Sequence, residues 1–292
     1  MNIFLAIPNF EKELAHELKK FKAYENFYLS EHSDAVWCQD AWRDVQEIRF
    51  ESISEAVQKL KRLHSHWVGF SVSQHRRCQL IQEQLNFYKK PKLEFLGSLP
   101  NQRFGCFLMI DKNLILASCN TKHILPGGEV HFKEDKETSP SRAYLKLWEL
   151  FTVYGIRPKP DETTMDLGSC PGGWSWVLSQ TSQNVVSVDK APLAPKIAKL
   201  SNIRFMKKDA FELNPKDVGQ VDWLFSDIIC EPSRLYKLVE KWRDAGVERF
   251  VCTIKFKGQT DFDIIKKFKA IEGSELYHLY HNKHELTWVK RS

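Results

Sequence analysis

A glycine-rich segment, Asp166–Trp174, stands between a predicted buried strand and a predicted helix. It reads Asp-Leu-Gly-Ser-Cys-Pro-Gly-Gly-Trp. Glycine lets a backbone turn sharply and approach a ligand without a Cβ in the way, and amides at a helix start can face a polar or anionic group. The spacing is not that of the dinucleotide-binding GxGxxG pattern. The segment therefore indicates a binding loop at a strand end, and a tight turn without a ligand is the alternative.

Two acidic residues stand at the ends of the next two predicted strands. Asp189 ends the strand that follows the glycine-rich segment, and Asp209 comes directly after the third strand. In doubly wound folds, an acid at the first position accepts hydrogen bonds from ribose hydroxyls, and the second lies near the place of an adenine. Taken singly, each acid is more typical of a helix N-cap. Together with the loop, they indicate a cofactor that contains adenosine.

Short apolar runs alternate with helical stretches in the second half of the chain. This alternation predicts an α/β fold, a Rossmann-like, mostly parallel, doubly wound sheet covered on both faces. Two more strands, Glu275–Tyr280 and Glu285–Val289, follow a last helix over Phe262–Ala270. The five earlier predicted strands are Thr163–Leu167, Val185–Val188, Ile203–Met206, Val221–Phe225 and Phe250–Ile254, and the helices among them are Trp174–Ser179, Ala194–Leu200 and Pro232–Ala245.

The glycine-rich segment resembles motif I of the FtsJ-like, S-adenosylmethionine-dependent RNA methyltransferases. Its Cys-Pro-Gly-Gly-Trp form is most similar to the RlmM-type bacterial 23S rRNA 2′-O-ribose methyltransferases, which act on a cytidine. The resemblance covers about residues 137–292 and implies S-adenosyl-L-methionine as the cofactor. The cofactor-binding residues that it implies are Gly168, Cys170, Pro171, Gly172, Gly173, Trp174, Asp189, Asp209 and Asp227. Ala143 departs from the pattern, because RlmM-type sequences usually have serine there, so any contact at this position would come from the backbone.

The same resemblance implies a Lys-Asp-Lys-Glu catalytic tetrad. Its members fall on Lys146, Asp227, Lys255 and Glu285. Taken singly, each is typical of a charge that solvates a surface: a lysine on an exposed helix face, an aspartate that caps a helix, a lysine at a strand end, a glutamate on a sheet edge. Because Asp227 and Lys255 both end predicted parallel strands, we expect them at the same sheet edge as the glycine-rich loop.

A ribose 2′-hydroxyl is a poor nucleophile at neutral pH, so methyl transfer to it needs a base. A lysine serves as one only if its pKa falls through desolvation or a nearby positive charge. We expect Lys255 to be the base and Lys146 its cationic neighbour, with Asp227 and Glu285 orienting the two lysines. Positioning supplies much of the rate in such a transfer. No metal is expected, since the chain has neither a CxxC nor an HxxxH pair.

The first 136 residues precede the predicted methyltransferase domain. Residues 1–74 predict strand, helix, strand, strand, helix and strand, the order of a smaller α+β ferredoxin-like unit that ends with the strand Trp67–Val72. Residues 75–136 predict a helix over Arg76–Tyr88, a hairpin within residues 104–119 and, from Pro126 to Pro140, a polar linker. The resemblance implies an RNA-binding module here, a ferredoxin-like subdomain followed by a reduced THUMP-like region. The predicted divisions are therefore a ferredoxin-like subdomain at 1–74, a reduced THUMP-like region with the linker at 75–136, and the FtsJ-like methyltransferase domain at 137–292.

Composition bounds the remaining possibilities. The 292 residues suggest two domains, and 42% hydrophobic residues suffice for packed cores. No run approaches the ~18 apolar residues of a membrane helix, and the first residues lack the basic start of a signal peptide. Seven widely spaced cysteines fit free thiols in a cytoplasm. The net charge of +6 permits an anionic partner without requiring one. Short basic clusters, read as phosphate contacts or solvated faces, are Arg76-Arg77, Lys89-Lys90-Lys92, Lys207-Lys208 and Lys266-Lys267-Lys269.

The sequence thus predicts an enzyme that 2′-O-methylates RNA, with a cytidine of 23S rRNA, free or in a ribosome-assembly intermediate, as the first substrate. One alternative is the same chemistry on another RNA, such as tRNA. Another is a non-catalytic RNA-binding protein whose methyltransferase domain is a relic. We expect a cytoplasmic monomer that does not bind membranes.

Overall fold

The computed structural model describes residues 1–291 and divides the chain into two compact units. Unit 1 comprises Met1–Leu93 and Leu99–His131. Unit 2 comprises Glu94–Ser98 and the residues from Phe132 onward. The boundaries predicted at 74/75 and 136/137 stay predictions. Residues 1–291 contain no helix that is both long and apolar enough to cross a membrane.

Unit 1 holds two five-stranded sheets. The first has the order β10-β4-β1-β3-β2 and the second β5-β9-β8-β6-β7. The elements are β1 (Asn2–Ala6), α1 (Glu11–Leu18), β2 (Lys22–Tyr24), β3 (Phe27–Ser30), β4 (Cys38–Arg43), β5 (Gln46–Arg49), α2 (Ile53–Leu63), β6 (His66–Ser71), α3 (His75–Gln82), β7 (Asn86–Phe87), β8 (Gly105–Asp111), β9 (Leu114–Ser118) and β10 (Asn120–Thr121). The predicted hairpin is present as antiparallel β8 and β9, whereas the helix predicted over Arg76–Tyr88 ends at Gln82.

The strand predicted to complete the ferredoxin-like sheet, Trp67–Val72, is not in that sheet. As β6 it lies in the second sheet, where it pairs in parallel with β7 and β8. Alternation along the strand explains the placement, because successive side chains point to opposite faces. Trp67 packs in the cluster that contains Leu60 of α2, whereas Val68 packs with residues of the first sheet. The order of elements within residues 1–74 was therefore a poor guide to which strands pair.

The beginning of the predicted linker is packed into unit 1. Pro126, Gly127 and Gly128 are buried, and Gln39 Nε2 donates a hydrogen bond of 2.6 Å to the Gly127 carbonyl oxygen. A Cβ at Gly128 would stand 2.0 Å from the carbonyl oxygen of Gln39. This close approach of two backbones, and not flexibility, accounts for a glycine at position 128.

Unit 2 is built on a seven-stranded sheet of order β13-β12-β11-β14-β15-β17-β16. The first five strands in that order run parallel, and β17 is antiparallel to both of its neighbours. The mostly parallel α/β sheet that the sequence predicts is confirmed. Its elements are α4 (Tyr144–Val153), β11 (Thr163–Leu167), α5 (Gly173–Ser179), β12 (Asn184–Asp189), α6 (Pro195–Ala198), β13 (Ile203–Lys207), β14 (Trp223–Ser226), α7 (Pro232–Asp244), β15 (Arg249–Lys255), α8 (Phe262–Lys269), β16 (Ser274–Tyr277) and β17 (Glu285–Arg291).

The strand order reverses at β11, which lies between β12 and β14. In open α/β sheets, ligands bind outside the carboxyl ends of the strands at such a point. Strands β11, β12, β14 and β15 are largely buried, as parallel strands covered on both faces must be. We therefore expect a ligand to bind at the loops that follow β11, β12, β13, β14 and β15.

Candidate active site

A cavity of about 440 Å³ opens at the carboxyl ends of the parallel strands of unit 2. Each strand end contributes to its lining, from the loop after β11 to Lys255 at the end of β15. The predicted site residues that line it are Gly168, Cys170, Pro171, Gly173, Trp174, Asp189, Asp209, Asp227 and Lys255. Within the described part of the chain, Gly172, Lys146 and Glu285 lie outside this lining.

The glycine-rich loop is shaped by its glycines. Gly168 has φ +77° and Gly172 has φ +111°, values that side chains with a Cβ rarely adopt. A Cβ on Gly172 would also approach Ile197 to 2.9 Å. Gly172 therefore turns the chain into α5 and packs on α6, while its neighbours reach the cavity. The indole Nε1 of Trp174 donates a hydrogen bond of 3.0 Å to the Ala143 carbonyl oxygen. Ala143 thus contacts the loop residue Trp174 through its backbone.

The two acids that follow β12 and β13 are held by backbone amides of loops. Asp189 accepts from the amide of Cys170 at 3.0 Å and from that of Ala191 at 2.9 Å, which ties it to the glycine-rich loop. Asp209 accepts from the amide of Phe211 at 2.9 Å, and this bond together with Lys190 lowers the pKa of its carboxyl. These partners belong to loops, so the alternative of helix N-caps does not describe either acid.

Lys146, Asp227, Lys255 and Glu285 meet at the sheet edge beside the cavity. The Nζ atom of Lys146 lies 2.8 Å from Asp227 Oδ1 and 2.8 Å from Glu285 Oε1. The Nζ atom of Lys255 lies 3.0 Å from the same Asp227 Oδ1 and donates to the Asp227 carbonyl oxygen at 2.5 Å. We call these four residues the charged cluster. Strand register contributes directly, because Lys255 and Glu285 are opposite each other in the antiparallel pair β15 and β17.

The charged cluster is largely withdrawn from solvent. The side chains of Lys146 and Glu285 are 10% and 9% exposed, and those of Lys255 and Asp227 are 19% and 15% exposed. Burial works against the ammonium form of Lys146, but the carboxylates of Asp227 and Glu285 outweigh it and raise the pKa of this lysine. Lys146 therefore stays protonated at neutral pH. Neither lysine fits the description of an exposed surface charge.

We compared the sequence with models of known protein families. Residues 140–277 match the family model described as FtsJ-like methyltransferase. Residues 140–277 are thus similar to FtsJ-like methyltransferases. The matched residues include Lys146, Asp227 and Lys255, whereas Glu285 lies beyond them and joins the charged cluster through the antiparallel strand β17.

About half of the chain is similar to relatives named Ribosomal RNA large subunit methyltransferase M. The protein of Halorhodospira halophila is 30% identical over 162 residues, which cover 52% of this chain and 47% of the relative. The protein of Methylococcus capsulatus is 30% identical over 166 residues, 51% of this chain and 47% of the relative. The protein of Idiomarina loihiensis is 30% identical over 189 residues, which cover 57% of this chain and 51% of the relative. The chain thus spans about half the length of these relatives.

Asp166, the first residue of the glycine-rich segment, is a buried acid that was not among the predicted site residues. Its carboxyl accepts a hydrogen bond of 2.6 Å from Ser175 Oγ, which in turn accepts one of 2.7 Å from Ser187 Oγ. Burial is the main reason that the pKa of Asp166 rises to about 7, and the charge of Asp227 adds to the effect. Asp166 also lines the cavity.

Three further residues of the cavity were not among the predicted site residues, although one of them, Ser169, lies within the glycine-rich segment. Ser169 is 4% exposed, and within residues 1–291 its hydroxyl has no hydrogen-bond partner. Ile229, two residues after Asp227, is 75% exposed. Arg234 of α7 lies with its guanidinium 3.7 Å from the ring centroid of Phe211. An unsatisfied buried hydroxyl normally signals a missing partner, and here it lines a cavity of a size typical for small-molecule sites.

Proposed function

We propose that this protein transfers a methyl group from S-adenosyl-L-methionine to a ribose 2′-hydroxyl of RNA, with a cytidine of bacterial 23S rRNA as the first candidate. The observation that carries the proposal is the charged cluster, with Lys255 and Asp227 on the wall of the cavity. The similarity of residues 140–277 to FtsJ-like methyltransferases supports methyl transfer as the reaction class. The names of the relatives support ribosomal RNA as the substrate class.

The cavity residues suit an adenosine-containing cofactor. Asp189 and Asp209 would accept hydrogen bonds from its polar groups, and the backbone from Gly168 to Gly173 would surround its amino acid portion. The unpartnered hydroxyl of Ser169, within residues 1–291, offers a further polar contact. When bound, S-adenosyl-L-methionine supplies an electrophilic methyl group. No metal is part of the proposed reaction.

Lys255 is the proposed general base. Among the four residues of the charged cluster, only Lys255 and Asp227 line the cavity, so Lys255 is the lysine that can reach a substrate hydroxyl there. It would take the proton of the ribose 2′-hydroxyl as the oxygen forms its bond to the methyl carbon and the bond from that carbon to the sulfonium sulfur breaks, so that S-adenosylhomocysteine leaves. Only the neutral amine can accept a proton. Lys146, the second lysine of the charged cluster, contacts the same Asp227 Oδ1 atom as Lys255.

Asp227 and Glu285 are proposed to hold the two lysines apart and in place. Glu285 contacts Lys146, and Asp227 contacts both lysines. Lys146 contacts two carboxylates and keeps its proton. Lys255 contacts the carboxylate of Asp227, which Lys146 also contacts. The different carboxylate environments of the two lysines support the proposal that they have different tasks.

Unit 1 is proposed to contact the RNA. It contains the exposed cations Lys89 and Lys92, whereas Arg76 lies 3.9 Å from Glu83 and Lys90 lies 2.8 Å from Glu129. Exposed lysines and arginines bind phosphates, and such binding weakens with salt. That residues 75–136 form a reduced THUMP-like region remains a prediction. A cytoplasmic monomer that acts on rRNA, free or in an assembly intermediate, completes the proposal.

A methyl-transfer assay on total RNA tests the reaction. We expect tritium from labelled S-adenosylmethionine to enter RNA, and mass spectrometry of nuclease digests to place the methyl group on a ribose 2′-oxygen. A methylated base would contradict the proposed chemistry, and methylation confined to tRNA would contradict the substrate. The substrates should include total RNA and ribosomal precursors from a strain that lacks the gene. If the protein methylates neither of them, a non-catalytic RNA-binding protein is favoured.

A further inference from the structure

Glu149 is a buried acid of α4 that belongs to neither the cavity lining nor the charged cluster. It is 1% exposed, and it lies three residues after Lys146, on the same side of the helix. Burying a carboxylate is costly unless hydrogen bonds compensate for the lost water. Glu149 obtains its hydrogen bonds from the turn between β16 and β17.

Three donors of that turn point at the Glu149 carboxylate. The amide of Tyr280 donates to Oε1 at 2.8 Å, and the amide of His281 donates to Oε2 at 3.2 Å. The ring Nδ1 of His281 lies 2.7 Å from Oε2. Since a carboxylate has two oxygens that accept and nothing to donate, it suits this set of donors better than an amide would.

The same turn leads into Glu285 through its own hydrogen bonds. The amide of Asn282 donates to the Leu279 carbonyl oxygen at 2.9 Å, and the Asn282 side chain donates to the Glu285 carbonyl oxygen at 3.3 Å. The amide of Glu285 donates to the Lys283 carbonyl oxygen at 2.9 Å. Residues 279–285, which we call the β16–β17 turn, therefore form a connected path from Glu149 to Glu285.

We propose that Glu149 is a positioning residue that sets the place of Glu285, and through it the orientation of Lys146, by anchoring the β16–β17 turn to α4. One helix then holds the turn at two points, since Lys146 contacts Glu285 at 2.8 Å and Glu149 contacts Tyr280 and His281. Two anchors on one rigid helix fix a side chain at the end of a loop more precisely than one. This inference rests on the proposed function, in which Glu285 orients Lys146.

Glu149→Gln tests the proposal. The amide keeps the size of the side chain but replaces one accepting oxygen with a donor, which faces N–H groups. We expect kcat for methyl transfer to fall roughly 10- to 100-fold, because small misplacements in a site cost that much. The KM for RNA and the Kd for S-adenosylhomocysteine by calorimetry should change by less than about threefold. In a Glu285→Ala background, Glu149→Gln should cause no further loss, since both act on the same element.

Glu162→Gln is the matched control. Glu162 is a partly buried acid of unit 2, with a side chain that is 12% exposed. It accepts from Trp223 Nε1 at 2.8 Å and pairs with Arg249, but it precedes β11, at the end of the strand away from the cavity. It should lower thermal stability and leave kcat unchanged. A wild-type kcat in Glu149→Gln, or an equal loss of kcat with Glu285 present or absent, would overturn the proposal.

Hydrogen exchange separates this inference from the proposed function. Mass spectrometry of peptides that cover residues 278–286 should show faster amide exchange in Glu149→Gln than in wild type, and no change in Glu162→Gln. If the wild-type protein methylates no RNA, the proposed function fails, and this exchange alone decides whether Glu149 anchors the turn. Unchanged exchange in Glu149→Gln would rule the anchor out in either case.

Discussion

At the scale of single residues, one carboxylate oxygen organises the charged cluster. Asp227 Oδ1 lies 2.8 Å from Lys146 Nζ and 3.0 Å from Lys255 Nζ. Removing one partner from such a buried set leaves an uncompensated charge, which is more costly than losing a surface pair. Substitutions within the cluster should therefore be interpreted with stability measured alongside activity.

The role of Lys255 can be tested by two substitutions that differ in charge. Lys255→Arg keeps a cation in place, but a guanidinium does not give up its proton in proteins, and Lys255→Ala removes both charge and base. We expect both variants to lose methyl transfer by about 10²- to 10⁴-fold, with S-adenosylhomocysteine affinity retained in calorimetry. Appreciable activity in Lys255→Arg would mean that the residue acts through its charge and that the base lies elsewhere.

Asp166 predicts a pH dependence of stability. Its pKa is raised from 3.8 to about 7 in the fold, so between these values the folded chain keeps a proton that the unfolded chain has lost. The free energy of unfolding therefore falls as pH rises through this window, by up to about 4 kcal/mol at 1.4 kcal/mol per pKa unit. Asp166→Asn should lack this decrease. Urea unfolding of both proteins at pH 4.5 and 7.5 measures it, and parallel behaviour of the two would contradict the prediction.

At the scale of elements, strand ends place the chemistry and turns refine it. The parallel strands β11, β12, β13, β14 and β15 bring their following loops to one edge. The antiparallel strand β17 then adds Glu285 opposite Lys255. Because β17 runs against its neighbours, its first residue lies at the edge where theirs end.

Gly172 tests how far the loop depends on its backbone. Gly172→Ala should cost about 1–3 kcal/mol of stability, because φ +111° strains any residue with a Cβ and the methyl would press on Ile197. We also expect weaker S-adenosylhomocysteine binding. Gly246→Ala is the control, since Gly246 has φ +94°, but among residues 1–291 only its chain neighbours lie within 4 Å of the place that a methyl group would take. It should lose stability and keep the affinity, and equal affinities in the two variants would contradict the prediction.

At the scale of the whole molecule, the chain crosses between its two units more than once. Glu94–Ser98 belongs to unit 2 although unit 1 precedes and follows it. Phe95 stacks on Trp148 of α4 with ring centroids 5.0 Å apart and an interplanar angle of 11°, and the amide of Leu96 donates to Thr152 Oγ1 at 3.0 Å. Deleting residues 1–125, the obvious test of RNA binding by the first half, would therefore also remove part of unit 2.

Phe95→Ala measures how much residues 94–98 contribute to the stability of unit 2. We expect unit 2 to lose about 2–4 kcal/mol of stability, since a packed aromatic ring leaves a gap when truncated. Phe87→Ala, which removes a ring that is 60% exposed, should change stability by less than about 0.5 kcal/mol. Thermal unfolding followed by tryptophan fluorescence compares the two. Equal effects would mean that residues 94–98 contribute little to unit 2.

Local patterns in the sequence were enough to predict the parallel sheet of unit 2 and the residues at its strand ends. Buried parallel strands appear as apolar runs, and their carboxyl ends must share an edge. The sequence of Asp166–Trp174 likewise identifies a strand-to-helix turn, since glycines at positive φ are required there. The four residues of the charged cluster were predicted by resemblance to a family, and their catalytic role is still a proposal.

Tertiary structure alone decided what depends on distant segments. It placed β6 in the second sheet, buried Gly128 against Gln39, and moved residues 94–98 into unit 2. It also brought Glu149 to the β16–β17 turn and, among the described residues, left the Ser169 hydroxyl without a partner beside the cavity. Local periodicity determines which face of an element is apolar, but the partner that covers that face is chosen by packing among segments far apart in the chain.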